Sequence, residues 1–106
     1  MKKIECIIRP EKFDAVREAL RLSGVGGLTT YAVKGFGNQR GRGKGLLKKI
    51  KLEIYADDFQ ADAVVDIVMK TARTGSSGET GDGKIAVSDL EKLYRIRTGE
   101  EGAKAI

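Results

Sequence analysis

Residues 46–72 read LLKKIKLEIYADDFQADAVVDIVMKTA, and the hydrophobic period changes halfway along. Up to Ala56 apolar residues alternate with polar ones, as on a half-buried strand. From Asp57 or Asp58, either of which can cap a helix, the spacing widens to that of a helical stripe at Ala63, Val64, Ile67 and Val68, which fades near Ala72. The same succession stands at the start of the chain. In KKIECIIR, residues 2–9, Ile4, Cys6 and Ile8 alternate, and Ile7 is a second apolar residue among them. Pro10 suits the first turn of a helix, where its missing N–H costs nothing. Phe13, Val16 and Leu20 then follow at helical spacing, with Ala19 beside them, until Ser23–Gly24 stops the helix.

Two strand–helix units need partner strands. The β-branched and aromatic run LTTYAV, residues 28–33, supplies one and KIAV, residues 84–87, another. The order becomes βαββαβ: an α+β, ferredoxin-like split arrangement with an antiparallel sheet carrying two helices on one face. LYRIR, residues 93–97, reads as a final short strand. The face without helices is expected to present Ile and Val and so to meet another subunit. All 106 residues fit one domain.

Composition narrows the chemistry. The chain has 20 Lys and Arg against 15 Asp and Glu, for a net charge of +5, with both signs interspersed. That favours a small anion at a local cluster over the single-sign field of a dedicated nucleic-acid binder. The single cysteine, Cys6, excludes an intramolecular disulfide and reads as a buried core thiol. Without histidine there is no His-based triad and no His zinc site. No signal segment or transmembrane run stands out, so a soluble cytoplasmic protein is expected. No nucleophile–base pair or carboxylate pair suggests catalysis, and an enzyme is not expected.

Two loops hold the anion-binding candidates. Residues 74–85, TGSSGETGDGKI, contain Gly78 to Lys84 in the spacing G-x4-G-K. A P-loop would continue with Ser or Thr and a helix, whereas here Ile85 opens a strand. An NTPase is therefore rejected. What remains is a glycine-rich nest of backbone N–H groups with Lys84 as a point charge, or a plain solvated loop. Residues 34–45, KGFGNQRGRGKG, form a second glycine-rich loop, and Gly35 and Gly37 allow close backbone approach to a flat ligand. Arg95 and Arg97, at i and i+2 on the expected last strand, would point the same way and could clamp phosphates or simply be solvated. The basic run from Arg40 to Lys51 lacks the interleaved aromatics of an RNA-binding sheet.

Taken together, KKIECIIRPEKFDAVREAL, VKGFGNQRG, KLEI, TARTG, TGDGKI and RIRTGEEGAKAI resemble the PII nitrogen-regulatory signal-transduction proteins over nearly the whole chain. The resemblance implies a homotrimer of ferredoxin-like subunits with ATP or ADP in the clefts between them. It also implies a T-loop that docks on a regulated transporter, enzyme or transcription factor, with no prosthetic group and no nucleic acid. Carried over by motif, Thr29 and the backbone near Tyr55 would meet the adenine side. Gly35, Gly37, Asn38 and Gln39 would wrap the nucleotide. Gly81, Asp82, Gly83 and Lys84 would form the phosphate loop, with Glu53 close to Lys84, and Arg95 and Arg97 would reach phosphates from the neighbouring subunit. Gln39 would coordinate Mg and 2-oxoglutarate, and Lys49 would pair with the distal carboxylate of that acid.

The chain departs from the family pattern at three loop features. Its T-loop is short and has no tyrosine between Tyr31 and Tyr55 to accept a uridylyl group. Asn38 stands where a basic residue is usual. Ser76, Ser77, Gly78 and Glu79 lengthen the loop before GDGK. An alternative reading with the same cleft is a sensor of ADP or AMP with bicarbonate, and a basic nucleic-acid-binding module is the reading from a different class.

Overall fold

The computed structural model describes residues 1–37 and 45–106. Strand β1 (Lys2–Ile8) leads through a single 3-10 turn at Pro10–Lys12 into helix α1 (Phe13–Leu22). Strands β2 (Thr29–Gly35) and β3 (Leu47–Ala56) follow, then helix α2 (Asp58–Ala72) and strand β4 (Gly83–Asp89). The sheet order is β2-β3-β1-β4, and every pairing is antiparallel. The first split unit places β3 between β1 and β2, and the second places β1 between β3 and β4. The two βαβ units therefore interlock, which is the expected ferredoxin-like order.

Alternation fixes which face is buried. In register, Ile4 faces Ile54, Cys6 faces Leu52 and Ile8 faces Ile50. All of these except Ile50 are essentially inaccessible, and Val16 and Leu20 of α1 with Ala61, Val64, Val68 and Ala72 of α2 close over them. The α2 stripe is thus 61/64/68/72, with Ile67 partly buried. Ala63, expected on the stripe, is exposed because the helix is rotated toward α1 and β1. Asp57 occupies the N-cap position without a side-chain capping bond, and its main-chain carbonyl accepts the first helical bonds, from Gln60 and Ala61. Burial pushes the Cys6 thiol up to about 11, so it is an inert core group.

Two expectations need correction. The helix-free face is not an Ile/Val surface. One residue in two along β1 and β3 places Lys3, Glu5, Lys51, Glu53 and Tyr55 there, linked as ion pairs: Lys3 to Glu5 at 2.8 Å, Lys3 to Glu53 at 3.8 Å and Lys51 to Glu5 at 3.6 Å. Apolar groups on that face, Ile7, Val33 and Leu47, gather at one end of the sheet. Nor do residues 93–97 form a strand. Among the described residues, only Tyr94 of this run makes a bridge, to Glu101. The chain turns at residues 96–98, where the Gly99 N–H donates to the Arg95 carbonyl at 2.8 Å and the Arg95 N–H to the Glu100 carbonyl at 2.9 Å. No helix among the described residues is long and apolar enough to cross a membrane.

Candidate functional site

The apolar end of the outer face opens into a cleft of about 430 Å³. One wall is the foot of the long loop, from Gly35, Phe36 and Gly37. The floor is Ile7, Leu47 and Lys49. The other wall is the loop entering β4, from Glu79 to Lys84. Two glycine-rich segments 42 or more residues apart in sequence thus meet because β1 lies between β3 and β4.

Asp82 organises the second wall. Its carboxylate accepts from the Thr74 backbone N–H at 2.9 Å, the Thr74 hydroxyl at 2.6 Å and the Glu79 N–H at 2.9 Å. It also accepts from the Arg9 Nε at 3.0 Å. Burial by itself would raise its pKa, but the bonds from Thr74, Glu79 and Arg9 outweigh that and hold the carboxyl well below the usual range. Asp82 therefore spends its oxygens on the loop itself. Arg9, only 12% exposed at the end of β1, also donates to the Thr80 carbonyl at 2.9 Å. Lys49 donates to the Gly81 carbonyl at 2.6 Å. With the two carbonyls of residues 80 and 81 engaged by cations, the peptides between residues 80 and 82 are fixed in orientation.

Gly83 shows why the loop enters β4 on a glycine. Its φ is +109°, and a β-carbon there would lie 1.7 Å from the Ile7 carbonyl oxygen. Only glycine permits this approach of β4 to β1. Lys84, next along, alternates onto the outer face. Among the described residues it makes no ion pair, so its charge is available to a ligand. The cleft offers backbone amides on a rigid glycine loop, one uncommitted ammonium group and an apolar floor, which suits a phosphorylated ligand with a flat organic part.

Of the sequence candidates, Gly35, Gly37, Lys49, Gly81, Asp82, Gly83 and Lys84 come together in this cleft. Thr29 and Glu53 face each other across β2 and β3 farther along the same face. The Tyr55 hydroxyl donates to Glu53 at 3.1 Å. Within one chain Glu53 does not lie beside Lys84. The register places it opposite Glu5, which faces Ala86, and its cationic neighbour is Lys3. Arg95 and Arg97 do not share a strand face. Arg95 donates to the Ile106 carbonyl at 2.9 Å and pairs with Glu100 at 3.3 Å, whereas Arg97 lies exposed in the turn. Neither lines the cleft. Asn38 and Gln39, and with Gln39 the expected metal ligand, lie outside the described residues.

Sequence reading missed Arg9, Phe36, Leu47 and Thr80 as parts of this site, named Glu79 only as part of the lengthened loop before GDGK, and gave Ile7 no role there. Ile7 carried a signal, since it breaks the alternation of β1 by adding an apolar residue to the outer face. Arg9 carried none, because its partner Asp82 is 73 residues away.

Comparison with known proteins gives the family of the chain. A family model described as nitrogen regulatory protein P-II matches residues 1–100. Similar relatives include nitrogen regulatory protein P-II of Nostoc punctiforme, 48% identical, and of Pasteurella multocida, also 48%, each alignment covering the whole of both chains. Nitrogen regulatory protein P-II 1 of Escherichia coli K12 is likewise 48% identical over the whole of both chains. These alignments run over 115 positions against the 106 residues here, so nine of them face no residue of this chain. Those proteins are signal-transducing regulators and not enzymes. With a matching α+β fold and sequence similarity along its whole length, the chain belongs to the nitrogen regulatory protein P-II family.

Proposed function

We propose that this protein is a homotrimeric, cytoplasmic regulator that binds ATP or ADP in clefts between subunits. Through the T-loop rooted at Gly37 and Gly45 it passes the result to a regulated partner of nitrogen metabolism. The observation that carries this reading is the convergence of the Gly81–Lys84 loop with Gly35 and Gly37 on one cleft. Phosphates meet the amides and Lys84 there, and the flat base needs a second surface. Thr29, Glu53 and Tyr55 supply such a surface on the β2–β3 side of the sheet, apart from the cleft of the same chain. A nucleotide touching both groups is most simply accommodated between two copies, with Arg95 and Arg97 approaching from the neighbour. For that, Arg95 must exchange Glu100 and the Ile106 carbonyl for phosphate.

Mg and 2-oxoglutarate are proposed to join the nucleotide at the foot of the T-loop through Gln39 and Lys49. Lys49 already donates to the Gly81 carbonyl, so an incoming carboxylate shares it with the phosphate loop. This couples the two ligands through one side chain, and by linkage each tightens or loosens the other equally. A second reading, ADP or AMP with bicarbonate, is favoured by Glu79. Its carboxylate lines the phosphate cleft and opposes a third phosphate.

Calorimetric titration with ATP, ADP and AMP, alone and with Mg plus 2-oxoglutarate or bicarbonate, tests both. Binding of adenine nucleotide at micromolar to low millimolar concentration supports the proposal, and the co-ligand that tightens it selects the reading. Failure of all three nucleotides to bind rejects both.

A further inference from the structure

We infer that Arg9 is a positioning residue for the phosphate cleft. The inference rests on the nucleotide reading proposed above. Arg9 is the last residue before Pro10, just past the end of β1, so its backbone is anchored by one of the two interior strands of the sheet. Its side chain is 12% exposed. From that base the guanidinium grips the loop at three points: the Asp82 carboxylate through Nε at 3.0 Å, the Thr80 carbonyl through Nη2 at 2.9 Å, and the Glu79 carboxylate at 3.9 Å.

Each grip has a consequence for the amides. In a planar trans peptide the N–H points opposite the C=O. Holding the Thr80 carbonyl on Arg9 therefore aims the Gly81 N–H away from Arg9. Holding Asp82 keeps the carboxylate turned inward, where Thr74 and Glu79 also reach it, so its negative charge does not enter the space a phosphate would occupy. Glu79, the other acid on this wall, is drawn toward the same guanidinium. One cation thus orients the donors, pairs closely with Asp82 and offsets only part of the charge of the more exposed Glu79. Gly75, Gly78 and Gly81 all have positive φ in this loop, so nothing in its own backbone preference fixes the peptide planes.

The test uses the full chain with Arg9→Gln and Arg9→Lys. Loss of the clasp should weaken ATP by about tenfold or more while AMP, whose single phosphate reaches fewer loop amides, changes by less than about twofold. Arg9→Lys keeps the charge but not the fork, and should recover part of the loss. Amide hydrogen exchange of the free protein should quicken across residues 74–83 in Arg9→Gln, with β1 and α2 unchanged. Equal weakening of ATP and AMP, or an unchanged ATP affinity beside faster loop exchange, overturns the assignment. A wild-type protein that binds neither nucleotide removes the nucleotide reading and this assignment with it, and is recognised before any variant is compared. If Arg9→Gln does not fold, the ATP to AMP ratio in Arg9→Lys decides alone: a ratio equal to wild type overturns the proposal.

Discussion

Gly83→Ala should be the most damaging single methyl that can be added to the loop entering β4. The new β-carbon would lie 1.7 Å from the Ile7 carbonyl oxygen, 2.8 Å from the Ile7 carbonyl carbon and 3.3 Å from the Ile8 α-carbon. All three are main-chain atoms of the central strand, so no side chain can swing aside. Reaching even a 3.0 Å contact requires β4 to move from β1 by about 1.3 Å, which breaks the end of the ladder at the Ile8–Gly83 and Ile7–Lys84 pairs. An alanine at φ +109° adds about 1–2 kcal/mol of backbone strain. Losing one or two ladder hydrogen bonds adds about 1 kcal/mol each. The sum, about 2–4 kcal/mol, is a large part of the stability of a small domain. With a urea slope of about 2 kcal/mol per molar, the unfolding midpoint should fall by about 1–2 M. Gly27→Ala is the control: nothing lies within 4 Å of its β-carbon and its φ is not positive, so stability should change by less than about 0.5 kcal/mol. A Gly83→Ala loss below about 1 kcal/mol would show that the close approach of β4 to β1 is not what sets this loop.

Other consequences are equally direct. Lys84→Gln should weaken ATP by about tenfold or more, by removing one charge-assisted contact, and leave the melting temperature within a few degrees because the side chain is exposed; titration and thermal melts check both. Asp82→Asn loses a carboxylate held well below its usual pKa, so its deficit should be full at neutral pH. The wild-type advantage is present above the unfolded value of about 3.9 and disappears as pH falls from there toward the lower folded value, so melts at about pH 7, 4 and 3 should show the two proteins converging. Divergence on acidification would contradict the assigned hydrogen bonds. Leu52→Ala, in the middle of β3 and fully buried, should cost about 2–5 kcal/mol in urea unfolding and leave nucleotide selectivity unchanged.

The strand–helix alternation at residues 2–22 and 46–72 announced the fold because each strand buries only one face and each helix one stripe. Local period then carries the global arrangement. The reading failed where a β-like run was not closed by a partner strand. Tyr94, Ile96 and the adjacent arginines have the composition of a strand, but Gly99, at φ +71°, lets the chain fold back on Arg95 instead. It failed again on the outer face, where the cross-strand pairs Lys3–Glu53 and Lys51–Glu5 come only with the register. At the site, the glycines and Lys84 were legible because their chemistry is local. The Arg9–Asp82 clasp was not, since an ion pair across 73 residues leaves no periodic trace.

The most direct measurement is backbone-amide NMR of the protein titrated with ATP and Mg. The amide signals of Gly81 to Lys84 and of Gly35 and Gly37 should shift together and saturate with one dissociation constant, and the Lys84→Gln variant should raise that constant. Saturable ATP binding that leaves those amides unmoved, or that shifts only a different surface, would contradict a phosphate site on this loop.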